Sequence, residues 1–412
     1  MTVNLGNHRV SCPRVALFLA GCAAFINLYA TQGLLNELAA AFHISPRQAS
    51  WSITVTTLAV AITAPFVGRL TARGEQHRII AVAAILLALP AMMAACSGSF
   101  SELLLWRAVQ GMLIPVVFAT SVAYIGVRWS GGAVTEMTSL YIAGTVLGGF
   151  SGRFLSGLIT EFDDWRLALA VLAGLNLIIG LGIFLLLPRN LRSPVQTPAD
   201  RKAMRSELLS RPLLATYAVG FCVLFAQVAM FTYVGLHLSR APFALGTAAL
   251  GSIYAVFLLA LVVVPIAGRL SKARPRSELV RVAAWLGVSG SVLTLWPSLW
   301  LIVGGLALSC TGVFLAQSAA NAFITAHARQ SKASAVGVYL TCYYLGGSFG
   351  AFVPGVLWEQ WGWPGCVALI AVFQLLPLLI VRGGWKYFPV AIIAAPVPVN
   401  VPETIIQQGK KR

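Results

Sequence analysis

The sequence predicts an all-α membrane protein of twelve transmembrane helices, arranged as two parallel six-helix pseudo-repeats. Three observations predict this class. The chain has too few charged residues for a water-soluble surface, it contains twelve apolar runs of spanning length, and its two halves share short motifs at a nearly constant offset. Helices suit such a chain because they satisfy their backbone hydrogen bonds internally when water is absent.

The composition excludes an ordinary soluble protein. Of 412 residues, 58% are hydrophobic and only 10% are charged, whereas soluble domains carry about a quarter charged residues. Most of the surface must therefore face lipid. The seven cysteines are scattered, mostly inside apolar runs, with no CxxC pair and no histidine at zinc spacing. We interpret them as small apolar residues and expect no metal or other cofactor.

Apolar runs define the predicted spans, since a helix needs about 20 mostly apolar residues to cross a bilayer. Six candidates in the first half lie near 15–34, 50–68, 79–97, 103–127, 135–159 and 166–187. Six in the second half lie near 213–237, 246–268, 279–297, 299–326, 333–357 and 364–381. The apolar stretch beyond them is too short and too rich in proline for a thirteenth span.

The longer polar segments predict the domain boundaries. We expect an N-terminal six-helix bundle over 1–187, a linker over 188–212, a C-terminal six-helix bundle over 213–382 and a tail over 383–412. The linker holds four prolines and a cluster of charges, and prolines also interrupt the tail. Neither segment has the length of uninterrupted apolar sequence that a span requires.

The net charge of +17 follows from topology. The side that holds both chain ends carries 24 of the 29 Lys and Arg, whereas the other side has only Arg47, Arg166 and Arg240. Under the positive-inside rule this predicts that both termini and the linker are cytoplasmic, in a bacterial inner membrane. Because topology accounts for the basic charge, we expect the lipid bilayer as surroundings and no nucleic-acid partner.

An internal repeat relates the two halves. Residues 65–71 read PFVGRLT and residues 265–271 read PIAGRLS, an offset of 200. Residues 148–152 (GGFSG) correspond to residues 346–350 (GGSFG) at an offset of 198. Parallel repeats of six helices predict a substrate site at their interface near the bilayer midplane, with alternating access by rocking of one half against the other.

Three motifs resemble those of the major facilitator superfamily. Residues 68–73 (GRLTAR) look like the family's loop between the second and third helices, and residues 107–111 (RAVQG) look like its fourth-helix motif. The glycine-rich stretch 144–157 resembles the fifth-helix motif of its drug and metabolite exporters. The run 141–166 resembles a bacterial branch described as multidrug or arabinose-efflux-like. The resemblance covers nearly the whole chain and implies the family's fold and antiport-driven efflux.

The chain departs from the family pattern at two positions. Ala72 stands where the family usually has an Asp that helps to latch the cytoplasmic side, and Gly149 stands where the exporter motif usually has a Pro. The first departure removes a carboxylate that takes part in the family's usual gating contact. The second concerns the direction of transport.

Glycines and prolines at matching places predict close helix packing. Small residues let helices approach closely in lipid, and Gly144, Gly148 and Gly152 recur every fourth residue, which places them on one helix face. The predicted packing and gating residues are Pro65, Gly68, Gly144, Gly148, Gly149, Gly152, Gly157, Pro265, Gly268, Gly346 and Gly350.

Arg107 and Arg153 are the two charged residues well inside predicted spans, and the acidic residues, which fall in loops, tails or at span ends, are not placed to neutralise them. An arginine at a helix centre costs about 2.5 kcal/mol or more to insert, so both should face the protein interior. They either bond helix carbonyls and order the bundle, or serve transport. We favour transport because the second half has Leu308 and Ala351 at the corresponding positions. The resemblance also implies a coupling role for Arg107, and Gln110 joins these two arginines as a coupling candidate.

Uncharged polar residues are the candidates for a substrate cavity. Gln227 corresponds to Asn27 at the offset of 200, and Tyr339 and Tyr343 share a helix face because they lie four residues apart. For each candidate, bonding between helices is as plausible as ligand contact. The full set is Asn27, Thr31, Gln32, Tyr141, Gln227, Tyr254, Gln317, Asn321, Tyr339 and Tyr343.

The sequence contains no Walker loop, GxSxG, HExxH or paired intramembrane carboxylates, so we expect no enzyme and a gradient as the energy source. We predict a monomeric secondary active transporter that exports a small organic solute or drug in exchange for protons. Glu37, Glu136 and His237, near span ends, are the titratable candidates. One alternative is an importer or exchanger of a small organic anion with the two arginines as counter-charges. Another is a non-transporting membrane sensor or an intramembrane enzyme.

Overall fold

The computed structural model describes residues 12–71, 75–189, 206–328 and 332–385, and these ranges are helical without β-strands. Span 1 is the helix Pro13–Ile26, extended by the 3-10 turn Ala30–Gly33, and span 3 consists of two consecutive helices, Gln76–Leu86 and Ala88–Ala95. The other spans of the first half are single helices: span 2 is Trp51–Thr71, span 4 is Phe100–Arg128, span 5 is Gly132–Phe162 and span 6 is Trp165–Leu186. Span 8 has three consecutive segments, which are the helix Thr247–Ile253, the 3-10 turn Tyr254–Leu259 and the helix Ala260–Ala273. Span 7 is Arg211–Leu238, span 9 is Arg276–Leu293, span 10 is Leu299–His327 and span 11 is Lys332–Phe352. Span 12 is the second part of the helix Pro354–Gly384.

The prediction of an all-α protein with twelve spans is confirmed. Nine helices within the described ranges are long and apolar enough on their own to cross a membrane. Span 1 is shorter because its α-helix ends at Ile26 before the 3-10 turn. Two short helices, Leu35–Phe42 and Pro46–Ala49, connect spans 1 and 2 on the side opposite to the chain ends. We call this the far side, and the side of the chain ends the near side.

Local sequence explains two of the helix boundaries. Ser45 and Gln48 form a capping box, in which each side chain bonds the other residue's backbone N–H, and so begin the helix ahead of span 2. Gly362 has φ 60° and ψ −147°, a conformation that glycine adopts without a steric penalty. It divides the helix Pro354–Gly384 into residues 354–361, which continue beyond span 11, and residues 363–384, which form span 12.

Glycines bring spans 5 and 1 into direct backbone contact. Gly144, Gly148 and Gly152 lie against the main chain of Phe18, Cys22 and Ile26, with no room for a Cβ atom at any of the three. Spans 11 and 7 repeat the arrangement. Gly346 and Gly350 lie against the main chain of Phe221 and Phe225. The same pair of helices is therefore joined in the same way in both halves, as small-residue packing in lipid requires.

The two halves meet through two corresponding pairs of helices, span 2 with span 11 and span 5 with span 8. Gly157 of span 5 lies against the main chain of Thr247 at the start of span 8. Among the described residues, no atom lies within 4 Å of a Cβ placed at Gly268, so its packing role stays a prediction. Pro65 and Pro265 both lie inside helices, as their matching sequence contexts lead us to expect.

The domain boundaries stay a prediction. Most of the predicted linker, residues 190–205, and the tail from residue 386 lie outside the described residues, as do Ala72 and Arg73 of the motif after span 2. The described part of the linker includes Pro188, whose carbonyl accepts a hydrogen bond from the Tyr124 hydroxyl of span 4 at 2.9 Å.

Candidate functional site

Arg107 lies about two turns from the far-side start of span 4, with only 1% of its surface exposed. Its Nη1 donates to the Asn27 carbonyl at 2.7 Å and its Nη2 to the Leu28 carbonyl at 2.8 Å. These carbonyls follow the end of the span 1 helix at Ile26, where the helix can no longer supply their donors. Arg107 therefore caps the break in span 1.

Two further acceptors complete the surroundings of Arg107. Gln110 Oε1 accepts from Nη1 at 2.6 Å, and the Ser52 carbonyl of span 2 accepts from Nε at 3.3 Å. Charged donors form the stronger class of hydrogen bond, and oxygens from three spans converge on this guanidinium. The arrangement agrees with the structural interpretation of Arg107, in which the side chain bonds main-chain carbonyls and orders spans 1, 2 and 4.

Arg153 of span 5 is also buried, with 5% of its surface exposed, but its surroundings are different. Aromatic rings enclose the guanidinium, whose carbon lies 4.4 Å from the ring centre of Tyr29, 4.8 Å from that of Phe257 and 5.2 Å from that of Tyr254. Tyr29 belongs to the first half and the other two rings to span 8. Ring faces attract a cation, so Arg153 links the halves through aromatic rings, and the ion pairs among the described residues do not include it.

Polar contacts extend from Arg153 across the interface. Its Nε donates to Gln32 Oε1 at 2.8 Å, and its Nη1 donates to the Gly149 carbonyl at 2.7 Å. Gln32 in turn donates through Nε2 to the Thr232 hydroxyl of span 7 at 2.9 Å. Gln32 and Thr232 are both buried. One amide side chain thus bonds the arginine of one half and a hydroxyl of the other.

Three more hydrogen-bonded contacts between the halves lie on the far side. Glu161, near the end of span 5, accepts from the Thr247 hydroxyl at 2.9 Å and from the Ala248 N–H at 3.1 Å. This carboxylate caps the first turn of span 8, where N–H groups are free and negative charge is favourable. Gly246 lies beside the Glu161 carboxylate, and a Cβ atom at this position would clash with the carboxylate.

The second contact is an ion pair between Arg47, before span 2, and Glu359, beyond span 11, at 2.9 Å. The third joins the Ser348 hydroxyl of span 11 to the Thr54 carbonyl of span 2 at 3.0 Å. The side chain of Arg47 also packs against Gly355, where a Cβ atom would clash with it. With the Gln32–Thr232 bond, these contacts close the far side of the interface.

Glu37 lies close to this region, in the helix Leu35–Phe42 that follows span 1. Its Oε2 is buried and has no hydrogen-bond donor among the described residues. Burial raises the pKa of Glu37, and the nearby Glu161 carboxylate adds to the rise. Glu37 is therefore a far-side carboxyl group whose proton is held more tightly than usual.

Several predicted cavity residues form a tyrosine cluster inside the bundle. Tyr339 and Tyr343 stack with 5.8 Å between ring centres, and Tyr343 meets Tyr344 edge-on at 5.5 Å. The hydroxyls of Tyr141 and Tyr339 are buried without a hydrogen-bond partner among the described residues. Free buried hydroxyls are costly, which makes these two suitable to bond a polar ligand.

The remaining candidates are dispersed. Tyr254 donates its hydroxyl to the Phe231 carbonyl at 3.1 Å, and Thr31 accepts from the Ser52 hydroxyl at 3.1 Å. Among the unpartnered side-chain atoms of the described chain are Asn27 Nδ2 and Gln227 Oε1, a pair at corresponding places in the two halves. Gln317 is half-buried and Asn321 is exposed on span 10.

Sequence reasoning named Gln32, Gln110 and Tyr254 as candidates, but it missed the other two aromatic partners of Arg153. Tyr29 and Phe257 read as ordinary apolar span residues, because an aromatic ring near a cation leaves no pattern in a single sequence. Thr232 could have been found, because it stands 200 positions after Gln32, the offset already seen between Asn27 and Gln227. The Glu161 cap and the Arg47–Glu359 pair join distant loops, so spacing alone does not reveal them.

Comparison with known proteins gives consistent relatives over about nine-tenths of the chain. The YybF transporter of Bacillus subtilis, described as an uncharacterized MFS-type transporter, is 28% identical over 371 residues, which covers 89% of this chain and 92% of that protein. The inner membrane transport protein YnfM of Escherichia coli is 31% identical over 369 residues, with 89% and 88% covered. The purine ribonucleoside efflux pump NepI of Escherichia coli is 23% identical, with 90% and 92% covered.

Solved structures show the same fold at lower identity. A bacterial homologue of the human lysosomal transporter Spinster, in an inward-facing and unoccupied conformation, matches with a TM-score of 0.75 and 15% identity over 90% of this chain and 97% of that one. The family model of the Major Facilitator Superfamily matches residues 17–351. The chain therefore belongs to the Major Facilitator Superfamily, and it is a membrane transporter of small molecules, not an enzyme.

Proposed function

We propose that this transporter exports a small organic solute in exchange for protons, by alternating access across a bacterial inner membrane, with both termini in the cytoplasm. The observation that carries the proposal is the placement of the contacts between halves. Gln32–Thr232, Glu161–Thr247, Arg47–Glu359 and Thr54–Ser348 all lie toward the far side. A rocking transporter must break these bonds whenever its far side opens.

The proposed state is therefore the inward-facing one. Both chain ends lie on the near side, which the basic residues predict to be cytoplasmic. The similar solved transporter is described as inward-facing. Solute would enter from the cytoplasm in this state and leave once the far-side contacts have opened.

Two observations support export. The glycine-rich stretch of span 5 resembles the exporter motif, and its glycines pack directly on span 1. The relative NepI, with similarity over 90% of this chain, is described as a purine ribonucleoside efflux pump. For proton coupling, Glu37 is the supporting residue, because it is a partly buried carboxyl group beside contacts that must change between states.

A second candidate function, exchange or import of a small organic anion, is favoured by Arg153. Its guanidinium carries a positive charge at the interface of the halves, and its polar partners are an amide oxygen and a carbonyl oxygen instead of a carboxylate. An anionic substrate would supply the missing negative charge. The free hydroxyls of Tyr141 and Tyr339 would suit such a ligand as hydrogen-bond donors.

The two functions are separated by transport in proteoliposomes. The full-length protein is reconstituted with a pH gradient of either sign and offered purine nucleosides, aromatic cations and aromatic carboxylates, with and without an uncoupler. Export in exchange for protons predicts that solute moves against the proton flow and that the uncoupler abolishes accumulation. Uncoupler-resistant exchange of carboxylates alone would replace it with the anion function. The absence of any uptake beyond protein-free liposomes would contradict both.

A further inference from the structure

A cavity of about 400 Å³ opens on the near side between spans 9 and 12, away from the interface of the halves. Its wall from span 9 includes Ser277, Arg281 and Trp285. Its wall from span 12 includes Leu378 and Arg382. The cavity lies within the C-terminal half, so the proposed rocking of the halves does not create or remove it.

Both walls change from polar to apolar in the same direction. Ser277, Arg281 and Trp285 recur every fourth residue, so they share one helix face and lead from the near-side end of span 9 toward its middle. On span 12, Leu378 lies one turn farther into the membrane than Arg382. The outer part of the cavity is therefore cationic and the inner part is hydrophobic.

No carboxylate of the described residues pairs with the charges of this cavity. The ion pairs formed between described residues include neither Arg281 nor Arg382. Ser277 lies in the first turn of an 18-residue helix, where unpaired N–H groups also favour an anion. Two guanidinium groups beside a helix N-terminus are suited to a phosphate, because arginine can donate two parallel hydrogen bonds to it.

Two tryptophans beside the cavity indicate that it lies at the depth of the membrane surface. Trp385 is held by a hydrogen bond from its Nε1 to the Thr216 hydroxyl at 3.1 Å and by stacking on Phe323 with 4.2 Å between ring centres. Trp285 exposes 59% of its surface beside the cavity. Tryptophan is typical of the zone where lipid headgroups meet acyl chains.

We propose that this cavity binds an anionic phospholipid of the near-side leaflet, with its phosphate between Arg281 and Arg382 and its acyl chains along Trp285 and Leu378. The phosphate chemistry alone would also suit a free phosphate ion. The change from cationic to hydrophobic along both helices favours the lipid, which has its phosphate at one end and hydrocarbon at the other.

The proposal is tested by lipid retention. Full-length protein is extracted from vesicles of phosphatidylglycerol and phosphatidylcholine in equal parts, and bound lipids are counted by native mass spectrometry. The wild type should retain phosphatidylglycerol preferentially. Each of Arg281→Gln and Arg382→Gln should lower that preference about fivefold. Arg274→Gln is the matched control, because Arg274 lies on the same side just before span 9 but does not line the cavity.

Two further arms separate the sources of phosphate and the role of the apolar wall. Inorganic phosphate at millimolar concentration should leave the bound phosphatidylglycerol in place, whereas its displacement would identify a free phosphate site and overturn the proposal. Trp285→Ser should lower retention although it changes no charge. Equal retention of both lipids by the wild type would overturn the proposal, as would arginine variants that retain phosphatidylglycerol as the control does. Melting curves of all variants report whether the bundle remains folded.

Discussion

Gln32 and Thr232 stand 200 positions apart in the chain and are hydrogen-bonded to each other across the interface of the two halves, with 2.9 Å between Nε2 and Oγ1. The same offset relates the motif at 65–71 to that at 265–271. The two residues therefore occupy corresponding places on spans 1 and 7, and their bond crosses the pseudo-two-fold relation between the halves. When the halves rock apart, Gln32 and Thr232 therefore move away from the interface as corresponding residues of the two halves, and their hydrogen bond breaks.

Thr232→Val should favour the far-side-open state. The substitution preserves shape but leaves the buried Gln32 amide without its acceptor, which costs about 1–3 kcal/mol in the closed state alone. Distances between spin labels at His43 and Ala241, exposed on the far side of each half, should then shift toward longer values. Thr311→Val is the control, because Thr311 bonds the Ala307 carbonyl within its own helix. Identical distance distributions for wild type and Thr232→Val would contradict the gating role.

Much of the fold follows from the sequence, because lipid leaves few alternatives to helices and the apolar runs mark their positions. The glycine faces were also predictable, since a spacing of four residues places Gly144, Gly148 and Gly152 together. The break in span 1 after Ile26 was not, because no proline or glycine marks it. The carbonyls of Asn27 and Leu28 at the break accept hydrogen bonds from Arg107, about eighty positions away. Long-range compensation of this kind has no local signal.

Gly148→Ala should destabilise the first half, because the added Cβ would meet the main chain of Cys22, which cannot move without its helix. Gly174→Ala is the matched control on span 6, where nothing lies within 4 Å of the added atom. Alanine there should be neutral or stabilising by up to about 1 kcal/mol through helix propensity. Thermal unfolding in detergent should rank Gly174→Ala at or above the wild type and Gly148→Ala below it. The reverse order would refute the packing account.

Arg107→Lys should lose stability although the charge is retained. A lysine ammonium has a single nitrogen and cannot reach the carbonyls of Asn27, Leu28 and Ser52 together, as the guanidinium does. The Ser52 carbonyl keeps the Thr56 hydroxyl and the Asn27 carbonyl keeps the Ala30 N–H at 3.5 Å, so the main cost, about 1–3 kcal/mol, comes from the Leu28 carbonyl. We expect a lower melting temperature and loss of transport, with faster hydrogen exchange around residues 27–33. Transport that falls while melting and exchange stay at wild-type values would instead indicate a direct coupling role.

Glu37 should make the far side sensitive to pH. Its pKa is raised by burial and by Glu161 in the closed state, and it would return toward its ordinary value when the far side opens to water. The closed state therefore binds the proton more tightly, so lowering the pH should favour closure and raising it should favour opening. Glu37→Gln should hold the far side closed and remove this dependence in spin-label distances. Glu136→Gln is the control, because Glu136 lies on the near side and pairs with Arg14 at the surface. This variant should keep the pH dependence of the label distances.

Arg153 should be required for transport through its charge and its shape together. Three rings from both halves and two oxygens of the first half surround one guanidinium, so the side chain joins the end of span 1, span 5 and span 8. Lysine keeps the charge but cannot donate to Gln32 and to the Gly149 carbonyl while it stays between the rings. Loss of about 1.4 kcal/mol from these contacts would change the balance of states tenfold.

Three variants separate the interpretations of this residue. If Arg153 holds the far side closed, Arg153→Lys and Phe257→Leu should both lengthen the far-side label distances, since each weakens the aromatic enclosure by about 0.5–2 kcal/mol. If Arg153 binds an anionic substrate, Arg153→Gln should abolish carboxylate binding, whereas Arg153→Lys should retain part of it because the charge remains. Label distances and binding isotherms on the same three proteins measure both effects. A protein with Arg153→Gln that binds, closes and transports at the wild-type level would leave this buried cation with neither role.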